Sequence, residues 1–242
     1  ARLEAFGVDC RGLRQASGRT FRWSGVYDRD MNSRRTLSTE LNVFADFEPD
    51  LPPAYRAAPY LFLANIAPAL QLRVLSQMRA PRFVAADTMD LWIRTARAGL
   101  LRVIRRVDLL LLNDSEARAL AGVDNLVAAA RRIRSMGPRY VIIKKGEHGS
   151  LLAAPRALAL VPAFPLETVR DPTGAGDAFA GGLMGRLAAG RSLSAEAVRK
   201  AMVYGTLVAS FAVESFSLDR LQALELSEIE ARARQLRAMV RL

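Results

Sequence analysis

From residue 60 onward, short apolar runs alternate with longer stretches of helical length. The runs contain few polar residues, a pattern typical of strands that are buried on both faces of a parallel sheet. The predicted strands are 60–66, 82–86, 107–112 and 140–144, followed by a predicted hairpin at 151–153 and 158–161. The predicted helices are 69–78, 91–105, 115–121, 125–136, 178–189, 195–211 and 218–240. This order predicts the α/β class, with a mostly parallel, doubly wound sheet between two layers of helices.

The first fifty residues follow a different pattern. Apolar and polar residues alternate between 20 and 27, where aromatic and β-branched residues favour a strand. The other predicted elements are the end of a helix at 1–6 that Gly7 stops, a turn at 28–33, and strands at 35–41 and 43–47. Together they predict a small sheet at about 18–48, apart from an α/β core at about 58–242. We expect both parts to belong to one domain spanning 1–242, since no linker or low-complexity tract separates them.

Composition and charge narrow the class of protein. The chain has 242 residues, of which 51% are hydrophobic, so it can form one large globular core. The net charge of +11 comes almost entirely from arginine, because the only lysines are Lys144, Lys145 and Lys200. The basic residues are scattered and form no tract of five or more. We therefore expect no nucleic-acid partner, although a basic protein can bind one.

The cysteine content and the apolar runs bear on the compartment. Cys10 is the only cysteine, which excludes an internal disulfide and fits a reducing compartment. No basic segment followed by an apolar stretch marks a signal peptide at the start. The longest uncharged apolar run, 201–213, is too short to span a bilayer. We expect a cytoplasmic protein with no membrane partner.

The chemistry concentrates in 171–182, Asp-Pro-Thr-Gly-Ala-Gly-Asp-Ala-Phe-Ala-Gly-Gly, at the start of a predicted helix. Pro172 suits a position just before a helix, and Gly174 and Gly176 allow a ligand to approach the backbone. The free N–H groups and the positive dipole end of a helix attract anions. Asp177 adds a carboxylate to the same turn. Amides that bind an anion beside a fixed carboxylate favour transfer of a phosphoryl group to a hydroxyl.

Two common glycine motifs do not match this stretch. A P-loop requires lysine after its second glycine, where this chain has Gly182, and a dinucleotide-binding fingerprint requires glycine where it has Phe179. An ordinary glycine-rich helix start is the plainer alternative. The twelve residues as a whole resemble the signature of the PfkB, or ribokinase-like, carbohydrate kinases. That resemblance implies a three-layer α/β/α fold whose small sheet covers the substrate as a lid; an edge hairpin with no ligand role is the alternative.

The resemblance also implies roles for the signature residues. Asp177 is the expected catalytic base, which the helix dipole keeps ionised. It orients the acceptor hydroxyl and accepts its proton late in phosphoryl transfer. The N–H groups of Gly174, Ala175 and Gly176 form the expected anion hole. The implied activity is ATP-dependent phosphorylation of a sugar-like hydroxyl.

Two further segments match the same family. Asn113 and Glu116 correspond to its N-x-x-E element, which holds Mg²⁺ through water and contacts phosphates. A capped helix with an acidic first turn is the alternative interpretation. The segment 144–149, Lys-Lys-Gly-Glu-His-Gly, resembles the part of the family that lies near the nucleotide. Its expected nucleotide contacts are Lys145, with Gly146 and Gly149, whereas its histidine is expected to be an ordinary loop residue.

The resemblance and the strand ends also indicate residues for a cation and for the substrate. Asp171 and Thr173, with carbonyl groups near Val213, correspond to positions that hold a monovalent cation such as K⁺ in related kinases, and Thr173 is also expected at the nucleotide. At the carboxyl ends of the predicted strands, Asn65 and Asp87, with nearby Asp90, are the expected hydroxyl contacts. The substrate is a sugar or a nucleoside, and nothing in the sequence selects between them. The alternative functions are a nucleoside kinase of the same fold and a catalytically weak ligand-binding member of the family. A homodimer that forms through the lid is also possible for this fold.

The start of the chain departs from the family pattern. The family begins with a strand and helix that carry a substrate-binding Asp and a Gly-Gly-Asn type segment. In this chain the lid-like strands start within about twenty residues, which is too short for such a unit, since a βαβ unit takes roughly thirty or more. We therefore expect an N-terminally incomplete copy with an uncovered sheet edge and a sugar pocket that lacks one wall. The nucleotide half, from about Asn113, should be intact. We therefore expect the chain to bind ATP better than it turns over a sugar.

Overall fold

A computed structural model describes residues 2–29, 31 and 34–240. The strands are β1 Arg22–Tyr27, β2 Arg34–Glu40, β3 Tyr60–Leu63, β4 Phe83–Asp87, β5 Leu109–Asn113, β6 Tyr140–Lys144, β7 Ser150–Ala154 and β8 Ala157–Val161. The helices are α1 Arg2–Ala5, α2 Pro68–Gln77, α3 Asp90–Thr95, α4 Arg97–Ile104, α5 Asp114–Ala121, α6 Leu126–Arg134, α7 Ala175–Ala189, α8 Ala195–Ala212, α9 Asp219–Gln222 and α10 Leu226–Met239. Short 3₁₀ turns lie at Asn42–Phe44, Tyr55–Ala57 and Gly146–His148.

The main sheet has six strands in the order β3-β4-β5-β6-β7-β8. The pairs from β3 to β6 are parallel, and β7 and β8 add antiparallel pairs at one side. The predicted fold class, a mostly parallel doubly wound α/β sheet, is confirmed. In the described part of the chain β3 and β8 are the edge strands, since each pairs on one side only. No helix in that part is both long and apolar enough to cross a membrane.

The core lies in two layers, one on each face of the sheet. On one face, residues such as Leu110 and Val141 pack against α2, α4, α5 and α6. On the other face, residues such as Leu111 and Ile142 pack against α7 and α8. All of these strand residues are fully buried, and burial of one leucine stabilises the fold by roughly 1.5–3 kcal/mol. Because successive residues of a strand face opposite sides, Lys144 lies on the α7 side, like Ile142.

β1 and β2 pair antiparallel in a separate two-stranded sheet, the lid hairpin. The third lid strand predicted at 43–47 is wrong, because Asn42–Phe44 form a 3₁₀ turn. Asn42 has φ +51° and its side chain donates to the Thr20 carbonyl at 2.8 Å. The turn lets Phe44 stack on Phe47 with ring centroids 5.6 Å apart. The predicted turn at 28–33 lies partly outside the described residues.

Two predicted helices are broken in the structure. The predicted helix 91–105 divides into α3 and α4 at Ala96, just after Thr95, whose hydroxyl donates to the Leu91 carbonyl at 2.6 Å. Such hydroxyl bonds compete with the helical ladder and bend helices. The predicted helix 218–240 divides into α9 and α10, because the Glu225 N–H donates to the Glu228 side chain at 3.1 Å and begins a new helix.

The turn between β6 and β7 depends on Gly149. This residue has φ +78°, and a Cβ added to it would lie 2.2 Å from the Val161 carbonyl oxygen. We predict that Gly149→Ala lowers the free energy of unfolding by about 2–4 kcal/mol, since it adds a backbone clash to the cost of about 1–2 kcal/mol for a left-handed conformation. Urea unfolding monitored by circular dichroism measures this change.

Gly122→Ala is the matched control. Gly122 has φ +67°, but nothing lies within 4 Å of an added Cβ, so this variant carries the conformational cost alone. Equal losses in the two variants would show that the contact with Val161 is unimportant.

Candidate active site

The candidate site lies at the carboxyl edge of the sheet, where α7 begins. In the parallel register Asp87 pairs with Leu111, and Asn113 pairs with Lys144. The register therefore places Asp87, Asn113 and Lys144 at neighbouring strand ends on the α7 side of the sheet.

The first turn of α7 has the features that anion binding requires. Gly174, just before the helix, has φ +80°, and the described residues supply no side-chain cap there. Among those residues, the N–H groups of Gly174 and Gly176 donate to no backbone carbonyl. Ala175 differs from our expectation, because its N–H donates to the Pro172 carbonyl at 3.1 Å. The two glycine amides are therefore the available donors, and Asp177 is exposed in the same turn.

A lysine lies directly beside this turn. A Cβ added to Gly176 would lie 3.0 Å from the Lys144 Nζ, so the absence of a side chain at 176 makes room for the ammonium group. The sequence analysis favoured Lys145 as the cation near phosphate, whereas the structure brings Lys144 to α7. Strand alternation would have identified Lys144, because residues two apart on a strand share a face and Ile142 faces α7. Lys145 follows one position later and is not on that face.

Lys144 is paired with Asp87. Its Nζ lies 3.3 Å from Asp87 Oδ2, and the other carboxylate oxygen accepts from the Thr88 N–H at 2.7 Å. Both side chains of the pair are largely buried, at 19% and 10% exposure. The backbone carbonyl of Asp87 accepts from the buried Gln71 side chain at 3.1 Å. The sequence analysis gave no role to Gln71, which also bonds the carbonyls of Leu63 and Ala64 at the end of β3.

Asn113 and Glu116 form a capping box at the start of α5. The Asn113 side chain accepts from the Glu116 N–H at 2.8 Å, and the Asn113 N–H donates to Glu116 Oε2 at 2.7 Å. Burial raises the pKa of Glu116 to about 7, and the charges of Asp87 and Asp90 act in the same direction. The Asn113 N–H and Lys144 oppose this rise. Near neutral pH such a carboxyl group readily exchanges its proton for a cation.

The described residues contain no group of three or more His, Cys, Asp or Glu side chains that could hold a metal ion directly. Glu116 with phosphate oxygens and water fits Mg²⁺, which usually keeps several waters and takes only one or two carboxylates.

Within the described part of the chain, a hydrogen bond joins the lid hairpin to residues 171–174, the signature loop. The Thr173 hydroxyl donates to the Tyr27 hydroxyl at 3.2 Å. The Thr173 N–H donates to Asp171 Oδ1 at 2.9 Å, and the N–H of Asp171 donates to the Val213 carbonyl at 3.4 Å. The segment before α7 is thus joined to the lid and to the end of α8. The lid contact of Tyr27 was not predicted, because no sequence pattern marks it.

The remaining predicted residues lie around this edge. Asn65, just after β3, accepts from the Trp92 indole N–H at 2.9 Å and donates to the Met89 sulfur at 3.1 Å, so its orientation is fixed. Gly146 and Gly149 bound the 3₁₀ turn after β6 with φ values of +55° and +78°. The Lys145 N–H closes this turn by donating to the Gly149 carbonyl at 2.8 Å.

Comparison with known proteins identifies the family. The family model of the pfkB family carbohydrate kinases matches residues 1–220. A cytidine kinase of Thermococcus kodakarensis is 31% identical over 198 residues, which cover 79% of this chain and 69% of the relative. A fructokinase of Klebsiella pneumoniae is 28% identical over 179 residues, covering 68% of this chain and 58% of the relative.

A solved structure shows the same fold. The nucleoside kinase of Burkholderia thailandensis in complex with inosine superposes with a TM-score of 0.73 at 22% identity, over 97% of this chain and 76% of that one. The relatives named here are sugar and nucleoside kinases, which are phosphotransferases. The chain belongs to the PfkB family of carbohydrate kinases.

Proposed function

We propose that this chain transfers the γ-phosphoryl group of ATP to a hydroxyl of a sugar or sugar-like substrate. The observation that carries the proposal is the convergence of three features at the start of α7: two glycine amides that donate to no backbone carbonyl of the described residues, the Lys144 ammonium and the Asp177 carboxylate. An anion bound by the amides and the ammonium would lie within one helical turn of a proton acceptor. Family membership and the kinase relatives support the same reaction.

Asp177 has the role of base in this proposal. The acceptor hydroxyl gives its proton to the Asp177 carboxylate, its oxygen forms a bond to the γ-phosphorus, and the bond from that phosphorus to the ADP oxygen breaks. In a loose transition state the proton moves late, so the main contribution of Asp177 is to hold the hydroxyl in line. The helix N-terminus favours the ionised carboxylate that this step requires.

The glycine amides and Lys144 balance the charge on the transferred group. The N–H groups of Gly174 and Gly176 donate to its oxygens, and fixed donors of this kind are typically worth about 10²–10³-fold in kcat. Lys144 adds a positive charge beside the same turn. We retain Lys145, Gly146 and Gly149 as proposed nucleotide contacts, since their turn directly follows Lys144.

Glu116 is the proposed anchor for the Mg²⁺ that accompanies ATP. When bound, Mg²⁺ neutralises phosphate charge as a Lewis acid. The capping box fixes the Glu116 carboxyl group through the Asn113 N–H. We also propose a monovalent cation such as K⁺ near Asp171, and Thr173 at the nucleotide; the network that joins Asp171, Thr173 and Val213 supports both.

The acceptor is proposed as a sugar or a nucleoside, in line with the fructokinase and cytidine kinase relatives. Asn65 and Asp87 lie at strand ends on the edge that faces an acceptor. Consumption of ATP with a panel of sugars and nucleosides tests the proposal directly. A ligand-binding member of the family would bind panel compounds without consuming ATP. A dimer through the lid is a further proposal, supported by the exposed lid side chains of Val26 and Leu37.

Asp177→Asn is the first test of mechanism. We predict that kcat falls by about 10²–10⁴-fold because proton acceptance is lost and the hydroxyl is held less well. The dissociation constant for MgATP should change by less than about threefold, since Asp177 contacts the acceptor and not the nucleotide. Steady-state kinetics and calorimetry measure the two quantities.

Glu196→Gln is the control for this prediction, since it removes another carboxylate from the first turn of a helix, and none of the proposed site residues lies in that turn of α8. Turnover of this control should match the wild type. Near-full turnover of Asp177→Asn would exclude Asp177 as the base.

Glu116→Gln tests the metal site. We predict that the Mg²⁺ concentration for half-maximal activity rises by about 10–100-fold, as is typical when residues that orient a metal shell are changed. The KM for the acceptor should rise much less. Asp114→Asn is the matched control, because Asp114 lies in the same helical turn but is only half-buried and is paired with Arg118. An unchanged Mg²⁺ titration in Glu116→Gln would leave Glu116 as a helix cap only.

A further inference from the structure

The position of Lys144 poses an electrostatic problem. Its ammonium group lies beside the first turn of α7, which itself carries about half a positive charge from the helix dipole. An ammonium group there is repelled unless a negative charge balances it. It is also largely buried, so water compensates only part of this repulsion.

Asp87 supplies the balancing charge and is itself held rigidly. One carboxylate oxygen lies 3.3 Å from the Lys144 Nζ, and the other accepts from the Thr88 N–H. Gln71, which is only 1% exposed, donates to the Asp87 carbonyl oxygen. The Gln71 bond fixes the backbone at this position, and the Asp87 carboxylate cannot turn toward another partner without losing its contacts with Lys144 and the Thr88 N–H. Its geometry therefore favours a partner inside the protein over a hydroxyl outside it.

We propose that Asp87 is a positioning residue that holds the Lys144 ammonium against the first turn of α7, so that the ammonium is shared with a polyphosphate bound there. The proposal rests on the proposed function for the identity of that anion, and it replaces the role of Asp87 as a substrate contact. Gly176 allows the Lys144 ammonium group to lie against α7, because any side chain at this position would occupy the space next to the Nζ.

The three lysines of the chain make this proposal measurable without turnover. Acylation by an amine-reactive ester, followed by mass spectrometry, gives a separate rate for Lys144, Lys145 and Lys200. The Lys200 side chain is 62% exposed and that of Lys144 only 19%, so Lys144 should react more slowly. Asp87→Asn should raise the Lys144 rate at least about fivefold and leave the Lys200 rate unchanged, because the ion pair restrains only Lys144. An unchanged Lys144 rate would overturn the proposal.

Two further variants separate positioning from general loosening of the fold. Asp90→Asn removes a carboxylate three positions after Asp87, at the start of α3, and no ion pair joins Asp90 to Lys144 in the structure, which describes both. Its Lys144 rate should equal that of the wild type. Gly176→Ala leaves Asp87 intact but places a methyl group 3.0 Å from the Nζ, so it should also raise the Lys144 rate. Because Gly176 lies within a helix, alanine there is compatible with folding and provides the test if Asp87→Asn does not fold.

Inorganic tripolyphosphate tests the shared anion. In the presence of EDTA, which removes any effect of Mg²⁺, saturating tripolyphosphate should slow acylation of Lys144 and not of Lys200. Equal rates with and without tripolyphosphate would overturn the sharing of Lys144. Absence of ATP consumption with every panel compound would instead overturn the proposed function, and the acylation rates would still decide the role of Asp87.

Turnover of the acceptor found by the panel completes the test. Asp87→Asn should lower kcat by about tenfold and leave the acceptor KM within about twofold, because a positioning role acts on the transition state. In a Lys144→Gln background the same change should have less than about a twofold effect on kcat, since residues that act through one another are not additive. A rise in acceptor KM with an unchanged Lys144 acylation rate would instead establish Asp87 as a substrate contact.

Discussion

The parallel register of β4, β5 and β6 determines where the strand-end groups of the candidate site, Asp87, Asn113 and Lys144, lie. Side chains alternate between the two faces of each strand, so a shift of one residue would turn Asp87, Asn113 and Lys144 away from α7. The register is fixed by the buried residues that precede them, such as Leu111 and Ile142, which pack against α7 and α8. Hydrophobic packing in the middle of the sheet thus determines the chemistry at its edge.

The site concentrates charge in a place where water is scarce. Lys144 and Asp87 form a largely buried pair, and Glu116, which is 5% exposed, carries a pKa raised to about 7 by burial. Burial of such groups costs free energy that their mutual attraction repays only in part. The arrangement is more favourable when an anion contacts the ammonium and the α7 amides and a cation approaches Glu116. The same charges that are costly on their own would therefore strengthen binding of the proposed polyphosphate and its metal ion.

The sequence predicted the elements with the strongest patterns. The uninterrupted apolar runs identified β4, β5 and β6, and the Gly-Ala-Gly-Asp stretch identified the start of α7, because each depends on local residue types. The breaks at Ala96 and before Leu226 were missed, because they depend on hydrogen bonds that do not alter the apolar period. The Thr95 hydroxyl donates one of these bonds, and the Glu228 carboxylate accepts the other from the Glu225 N–H.

The position of Lys144 and the conformation at 43–47 show two different limits of prediction from the sequence. Lys144 and Lys145 are chemically identical neighbours, and only the alternation of β6 decides which one faces α7. That information was present in the sequence. The conformation at 43–47 could not be predicted from the sequence. It depends on tertiary contacts that override strand propensity, namely the stacking of Phe44 on Phe47 and the edge-on contact of Phe44 with Phe21.

A hydrogen bond joins the lid hairpin to the signature loop. An isolated two-stranded hairpin is marginally stable in water, so β1 and β2 require support from the rest of the chain. Part of that support is the hydrogen bond between Tyr27 and Thr173, which joins residues 146 positions apart. The Thr173 hydroxyl has limited bonding capacity, and a ligand oxygen near α7 would compete with Tyr27 for its proton. A ligand that breaks this bond would therefore hold the lid hairpin less tightly. Because binding free energies are reciprocal, displacement of the lid hairpin would change the affinity of the signature loop for that ligand by the same factor.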